Sequence, residues 1–259
     1  MRLATWNVNS IRTRVDRVLA FLERSGTDVL AMQETKCRED QFPHLAFQAA
    51  GYEVVHHGFN QWNGVAVASR VGISDVETAF EGMPTWGDPA GAEARALGVT
   101  CDGVRVWSLY VPNGRVLHDP HYEYKLQWLG ALRAAAGTWL RSDPDARIAL
   151  VGDWNIAPRD EDVWDMSVFD GATHVSPPER EAFRAFEDVG FTEVTRSYVD
   201  QYTYWDYQRL RFPRNEGMRI DFVQASPQLA AHVVGARIDR DERKGKGASD
   251  HVPVIVDVA

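Results

Sequence analysis

The chain has 259 residues, 44% of them hydrophobic, and a formal charge of −9. That length and apolar content allow a large core, either as one domain or as two closely packed halves. The amino terminus carries a basic residue but no long apolar stretch behind it, so neither a signal peptide nor a membrane span is expected, which points to the cytoplasm.

No stretch is rich enough in Pro, Gly and Ser to act as a flexible linker, and residues 1–259 are read as one domain. The two cysteines, Cys37 and Cys101, lack CxxC spacing and read as free thiols. The negative charge argues at first against nucleic acid, because phosphate attraction dominates such binding. Carboxylates gathered around a divalent cation would reverse that local field. Arginines are also concentrated locally, at Arg209, Arg211, Arg214 and Arg219, then at Arg237, Arg240, Arg243, Lys244 and Lys246. By themselves such runs read as solvated loops.

In chain order, Arg2 to Asn9 reads as a strand, followed by a helix that Ser10 caps, with Ile11, Val15, Val18, Leu19 and Leu22 on one face and Gly26 at its end. Asp28 to Glu34 forms the next strand and completes a βαβ opening. Tyr52–Val55 and Gly64–Ala68 read as strands joined by a turn at Asn60–Asn63. Asp102-Gly103, between two β-rich runs from Val99 to Trp107, is the strongest hairpin signal in the chain. Tyr122 to Leu140 reads as a helix buried through Leu126, Leu129, Leu132, Ala136 and Trp139 or Leu140. The strand Ile148–Val151 follows, then a helix from Glu179 to Val189 that Gly190 stops. Tyr202–Tyr207 alternates like a strand edge, and strands around Asp221 and from Val252 to Val258 close the chain. Helix and strands recur in both halves, so the expected fold is α/β, with two packed β-sheets flanked by helices.

Several of these strands end in polar groups. Asn7 and Asn9, Glu34, Tyr110 with Asn113, Asp153 with Asn155, and Asp250 with His251 all adjoin apolar runs, and Asp221 lies within one. An Asp or Glu delivered by a buried strand is rigid and partly desolvated, which suits metal binding, proton abstraction or phosphate contact. Each alone could be a strand-exit turn or surface pair. Their recurrence describes a convergent site.

The motifs Trp6-Asn-Val-Asn, Gln33-Glu-Thr-Lys, Tyr110-Val-Pro-Asn, Gly152-Asp-Trp-Asn-Ile-Ala-Pro, Arg219-Ile-Asp-Phe and Ser249-Asp-His-Val-Pro resemble, in order along the whole chain, those of the exonuclease III family of apurinic/apyrimidinic endonucleases. The resemblance implies the four-layer, deoxyribonuclease I-like sandwich of the endonuclease/exonuclease/phosphatase superfamily. It further implies Mg²⁺ (Mn²⁺ as substitute) as cofactor, and as substrate double-stranded DNA with abasic sites or 3′ ends. A monomer suffices.

Phosphodiester hydrolysis needs a deprotonated, aligned water, neutralised phosphoryl oxygens and a stabilised leaving oxygen. Glu34 is the best metal ligand, with Asn7 or Asn9 completing or orienting its shell; its bland reading is a strand-end pair with Lys36. Asp153 is the candidate base or ligand, and Asn155 holds it, contacts phosphate or joins the metal shell. His251 is a cationic phosphate contact if Asp221 accepts from its ring. Tyr110 stabilises the phosphate or the leaving oxygen, and Asp250 is a second metal ligand or a water support. By resemblance, Trp205, Tyr204 and Met218 form the abasic pocket, and Asn113 and Arg115 touch the DNA backbone. Asn9, where some members have Asp, is expected to weaken metal affinity. Two other readings fit less well: hydrolysis of a small or lipid phosphoester, and a non-catalytic binding scaffold.

Overall fold

A computed structural model describes residues Met1–Ala259. In chain order the strands are β1 (Arg2–Asn7), β2 (Val29–Gln33), β3 (Glu53–His57), β4 (Val65–Ser69), β5 (Ser74–Glu77), β6 (Ala96–Cys101), β7 (Val104–Tyr110), β8 (Ile148–Asp153), β9 (Thr192–Glu193), β10 (Asp221–Ala225), β11 (Val233–Ile238) and β12 (Val254–Val258). The helices are α1 (Val15–Ser25), α2 (His44–Ala49), α3 (Pro120–Ser142), α4 (Pro177–Arg184) and α5 (Pro227–Ala230).

The strands form two six-stranded sheets, ordered β11-β12-β1-β2-β4-β3 and β5-β6-β7-β8-β10-β9. Each sheet holds one parallel pair, β1 with β2 and β7 with β8. A parallel pair needs a crossover, and α1 and α3 supply them. Both central pairs are continuous apolar runs because they are covered on both faces. Leu3, Val29, Val65, Val106, Val151 and Val223 fill the space between the sheets. Trp128 of α3 and Phe183 of α4 join Trp107, Trp154 and Phe186 in one outer core, while Phe21 of α1 and Phe47 of α2 join Trp6 in the other. Helix, sheet, sheet, helix is the four-layer sandwich the sequence implied.

The Asp102-Gly103 turn has φ of 47° and 72°, the left-handed pair that a two-residue hairpin requires. Gly26 ends α1 at φ 64°. Other expectations shift. Ser10 makes no side-chain cap; a short 3₁₀ turn at Ile11–Thr13 precedes α1. The expected helix from Glu179 to Val189 is α4, capped by Ser176, plus a separate 3₁₀ turn at Glu187–Val189. On α3 the buried stripe runs through Tyr124, Lys125, Trp128, Leu129 and Leu132, leaving Leu126 half-buried. Tyr202–Tyr207 forms no strand: Tyr204 bridges Met218 on one side and His251 on the other. Strand β11, part of which read as a basic loop, runs along β12.

Candidate active site

The polar strand ends converge at one mouth of the sandwich. Asn7, at the end of β1, donates from its amide nitrogen to Glu34 Oε1 at 2.8 Å and to Asp153 Oδ2 at 3.0 Å. One amide thus links the ends of both sheets. Tyr110 and Asp153 lie opposite each other as the last residues of β7 and β8. The first and last strands are tied by Ser249, whose hydroxyl donates to the Asn7 carbonyl at 2.7 Å and accepts from the His251 N–H at 3.2 Å.

The backbone is bent to deliver these groups. Asn9, Glu34, Lys36 and Asn155 all have left-handed φ, between 42° and 53°. For Glu and Lys this conformation is uncommon, and it persists only where surrounding contacts hold it. Gly152, at φ 148°, lies opposite Leu109; a Cβ there would sit 1.9 Å from the Leu109 carbonyl oxygen. Only glycine lets β8 present Asp153 while still paired with β7.

Glu34, Asp153 and His251 each direct a ligand-capable atom into a space where all three lie within 4.8 Å of one another. Burial pushes the Glu34 carboxyl upward, but Lys36, 2.7 Å away, together with the Asn7 amide more than offsets this and holds it below the ordinary value. Asp153 is the reverse case. Burial, with Asp221 and Glu34 nearby, pushes it up to about 7 against the opposing pull of His251. Burial alone would strip the proton from His251, yet Asp221 and Asp153 outweigh it and raise the imidazole to about 10. The Nδ1 of His251 is 2.8 Å from Asp221 Oδ2, and its Nε2 is 3.7 Å from Asp153 Oδ2. The ring is therefore a cation held between two carboxylates.

Lys36 also donates to Asn9 Oδ1 at 2.6 Å, and Asn9 donates to Asp250 Oδ1 at 3.0 Å. Asp250 thus joins the site through Asn9. Burial and nearby Glu34 keep the Tyr110 phenol protonated, with Arg95 4.8 Å from the ring centre. Asn155 uses both ends of its amide: the nitrogen donates to the Val111 carbonyl at 2.9 Å and the oxygen accepts from Asn113 at 3.3 Å. Its N–H donates to Asp153 Oδ1 at 2.9 Å. The oxygen Oδ1 of Asp221 is buried with no hydrogen-bond partner. The carboxylate oxygens of Glu34 and Asp153, turned into one space, suit a hard divalent cation.

Trp205 departs from the expected pocket. It is buried, packs on Ile238, Val252 and Val254, and lines a separate cavity of about 410 Å³ with Tyr202, Asn215 and Arg240. Its neighbour Tyr204 faces the site instead, with its ring 4.9 Å from that of His251. The side-chain alternation of an extended chain separates the two, and aromatic character alone could not say which one faced in. Met218 packs beside Tyr204. Asn113 and Arg115 line a cavity of about 580 Å³ together with Phe59 and Trp62, which are 51% and 65% exposed. Neither Phe59 nor Trp62, the latter within the expected Asn60–Asn63 turn, was expected at the site. Exposed rings so close in sequence to an Asn-rich turn are a signal that could have found them. Also unexpected is His174, whose Nδ1 lies 2.5 Å from the Asn155 carbonyl oxygen.

A four-layer sandwich that gathers carboxylates, a charged imidazole, a phenol and amides at one mouth defines a phosphoester hydrolase. The chain belongs to the Endonuclease/Exonuclease/phosphatase family, whose model matches residues 4–251. It is similar to the exodeoxyribonuclease III of Haemophilus influenzae, 27% identical and covering 98% of both chains. Among solved structures it resembles a 3′-5′ exonuclease from Neisseria meningitidis, at 34% identity and a TM-score of 0.93, covering 100% of this chain and 99% of that one. A Neisseria 3′ phosphatase bound to product DNA hairpin matches with the same identity, coverage and score. An AP endonuclease from Archaeoglobus fulgidus is 32% identical, with a TM-score of 0.91 over 100% of this chain and 99% of that one. No helix of the chain is long and apolar enough to cross a membrane.

Proposed function

We propose that the protein is a Mg²⁺-dependent DNA-repair phosphodiesterase that hydrolyses phosphoesters at 3′ ends of double-stranded DNA and 5′ of abasic sites, working as a cytoplasmic monomer. The observation that carries this reading is the approach of Glu34, Asp153 and His251 within 4.8 Å, with Asp221 behind the imidazole. Similarity to nucleases and a 3′ phosphatase over the full length supports it.

Glu34, oriented by Asn7, would hold the cation, with Asp153 and Asp250 as the nearby carboxylates. When bound, the ion supplies Lewis-acid neutralisation of the phosphoryl oxygens. Asp153, poised near neutrality by its burial, takes the proton from the attacking water. The His251 cation, Asn113, Asn155 and the protonated Tyr110 phenol contact the phosphate and stabilise the departing oxygen. Tyr204 and Met218 flank the sugar, and Arg115, Phe59 and Trp62 extend the contact along the DNA.

The test uses two duplexes, one with a single abasic analogue and one with a 3′-phosphate, each with Mg²⁺ and with chelator. Turnover with Mg²⁺ and none with chelator is expected. Asp153→Asn should lose about 10²–10⁴-fold in rate, the usual range for a general base. Equal cleavage in all arms would overturn the proposal.

A further inference from the structure

The side chain of Lys125 on α3 is completely buried, as is that of Glu179 on α4, and the two form an ion pair at 2.5 Å. Nothing in the proposed chemistry calls for a charge there. Two buried ions are costly to desolvate, and apolar residues of similar volume are often as stable or more so. The pair therefore gives more than cohesion, and its hydrogen bonds indicate what.

Besides Glu179, the ammonium donates to the carbonyl of Asn155 at 2.6 Å and to that of Asn113 at 3.2 Å. All of its donors are spent. Glu179 Oε1 accepts from the Thr173 hydroxyl at 2.7 Å and the His174 N–H at 3.0 Å; its other oxygen accepts from the Ser176 hydroxyl at 2.6 Å. Loops leaving β7 and β8 and the segment before α4 are thus fastened to one buried charge pair. Asn155 has a left-handed φ of 51°, and Lys125 and His174 both grip its carbonyl. Gly114 runs so close that a Cβ there would meet the Lys125 side chain at 3.2 Å.

We infer that Lys125 and Glu179 are positioning residues, which hold the Asn113 and Asn155 amides where a phosphate oxygen arrives without touching the substrate themselves. This deepens the function proposed above and rests on it for the identity of the phosphate ester. Neither residue hydrogen-bonds to Glu34, Asp153 or Asp250, so Mn²⁺ affinity reads cation binding apart from phosphate contact.

The experiment compares wild type with Lys125→Met and Glu179→Gln in three measurements: Mn²⁺ binding by calorimetry, inorganic phosphate binding in the presence of Mn²⁺, and turnover of the 3′-phosphorylated duplex per Mn²⁺-competent molecule. Lys125→Met should keep Mn²⁺ affinity within about twofold. Phosphate affinity should weaken about tenfold and kcat should fall about 10–100-fold, the scale of a misplacement on the order of 1 Å. A merely structural pair would lower melting temperature and the competent fraction but leave kcat per competent molecule and phosphate affinity at wild-type values, and that result overturns the inference. If Lys125→Met does not fold, Glu179→Gln, which keeps the ammonium, decides by the same criteria with a smaller expected loss. If the wild type binds phosphate but leaves the duplex intact, the functional reading fails, while the phosphate arm still decides the positioning role.

Discussion

Substituting Gly152 by alanine tests how Asp153 is delivered. The new Cβ would lie 1.9 Å from the Leu109 oxygen, 2.9 Å from its carbon and 3.0 Å from its nitrogen, all backbone atoms of the paired strand β7. A relaxed carbon–oxygen contact needs about 3.3 Å, so the carbonyl must retreat by roughly 1.4 Å. It cannot do so alone, because Leu109 is in register with Gly152 and the next pair is Tyr110 with Asp153. Opening the ladder there forfeits one or two buried hydrogen bonds at about 1–2 kcal/mol each. The φ of 148° adds about 1–2 kcal/mol for a residue with a Cβ. The sum is about 2–6 kcal/mol, or a melting temperature lower by about 4–24 °C for a domain of this size. Thermal unfolding by circular dichroism reads the first quantity. Turnover well below the melting point reads the second, with an expected loss of at least about tenfold as Asp153 and Tyr110 separate. A Gly152→Ala protein that melts within 2 °C or so of wild type and keeps full turnover would refute the steric account.

The stability of the metal-free protein should fall as pH rises above about 7; below that, His121 and His174, lowered to about 4 by burial, act in the opposite direction. His251, raised in the folded state to about 10, contributes stability that is fully present below its ordinary 6.5 and lost as pH rises toward 10. Asp153, raised to about 7, acts in the same direction between about 4 and 7. Melting temperatures measured from pH 7 to 10 should decline, and His251→Gln should flatten that decline; a wild-type curve that rises over this range would contradict the ion arrangement. Saturating Mg²⁺ at about 100 times its dissociation constant should stabilise by about 2.7 kcal/mol, or about 5–10 °C, and Glu34→Gln should abolish the gain. An unchanged Mg²⁺ response in that variant would place the cation elsewhere. Trp205→Ala should cost about 3–5 kcal/mol as a core truncation, whereas Trp205→Phe, once folded, should leave KM for DNA within about twofold. Tyr204→Ala should instead raise KM. A large KM change in Trp205→Phe without loss of stability would restore the tryptophan to the binding surface.

What the sequence made legible followed physical period and local chemistry. Apolar runs ending in Asn7, Glu34 and Asp153 announced buried strands with polar tips, and Asp102-Gly103 announced its hairpin through the left-handed φ that both residues accept. Side-chain direction was less accessible. Trp205 and Tyr204 are adjacent and equally aromatic, and their division between core and site depends on Met218 and His251 arriving from distant parts of the chain. Lys125 shared a helical stripe with Trp128, Leu129 and Leu132, but a lysine reads as solvent-facing unless its counter-ion is known, and Glu179 lies on another helix. Strand β11 escaped notice because its exposed side breaks the apolar pattern that marked the central strands.

The pairing of β1 with β12 also bears on how the molecule is made. During synthesis β1 emerges early, yet one of its flanks has no partner until residues 254–258 leave the ribosome. That apolar flank is thus open to wrong partners while the residues between β1 and β12 are made. His251 arrives in the same final stretch, so a nascent chain tethered short of it lacks the imidazole that the acids at the mouth of the sandwich surround. The site is therefore incomplete until residue 251 has emerged.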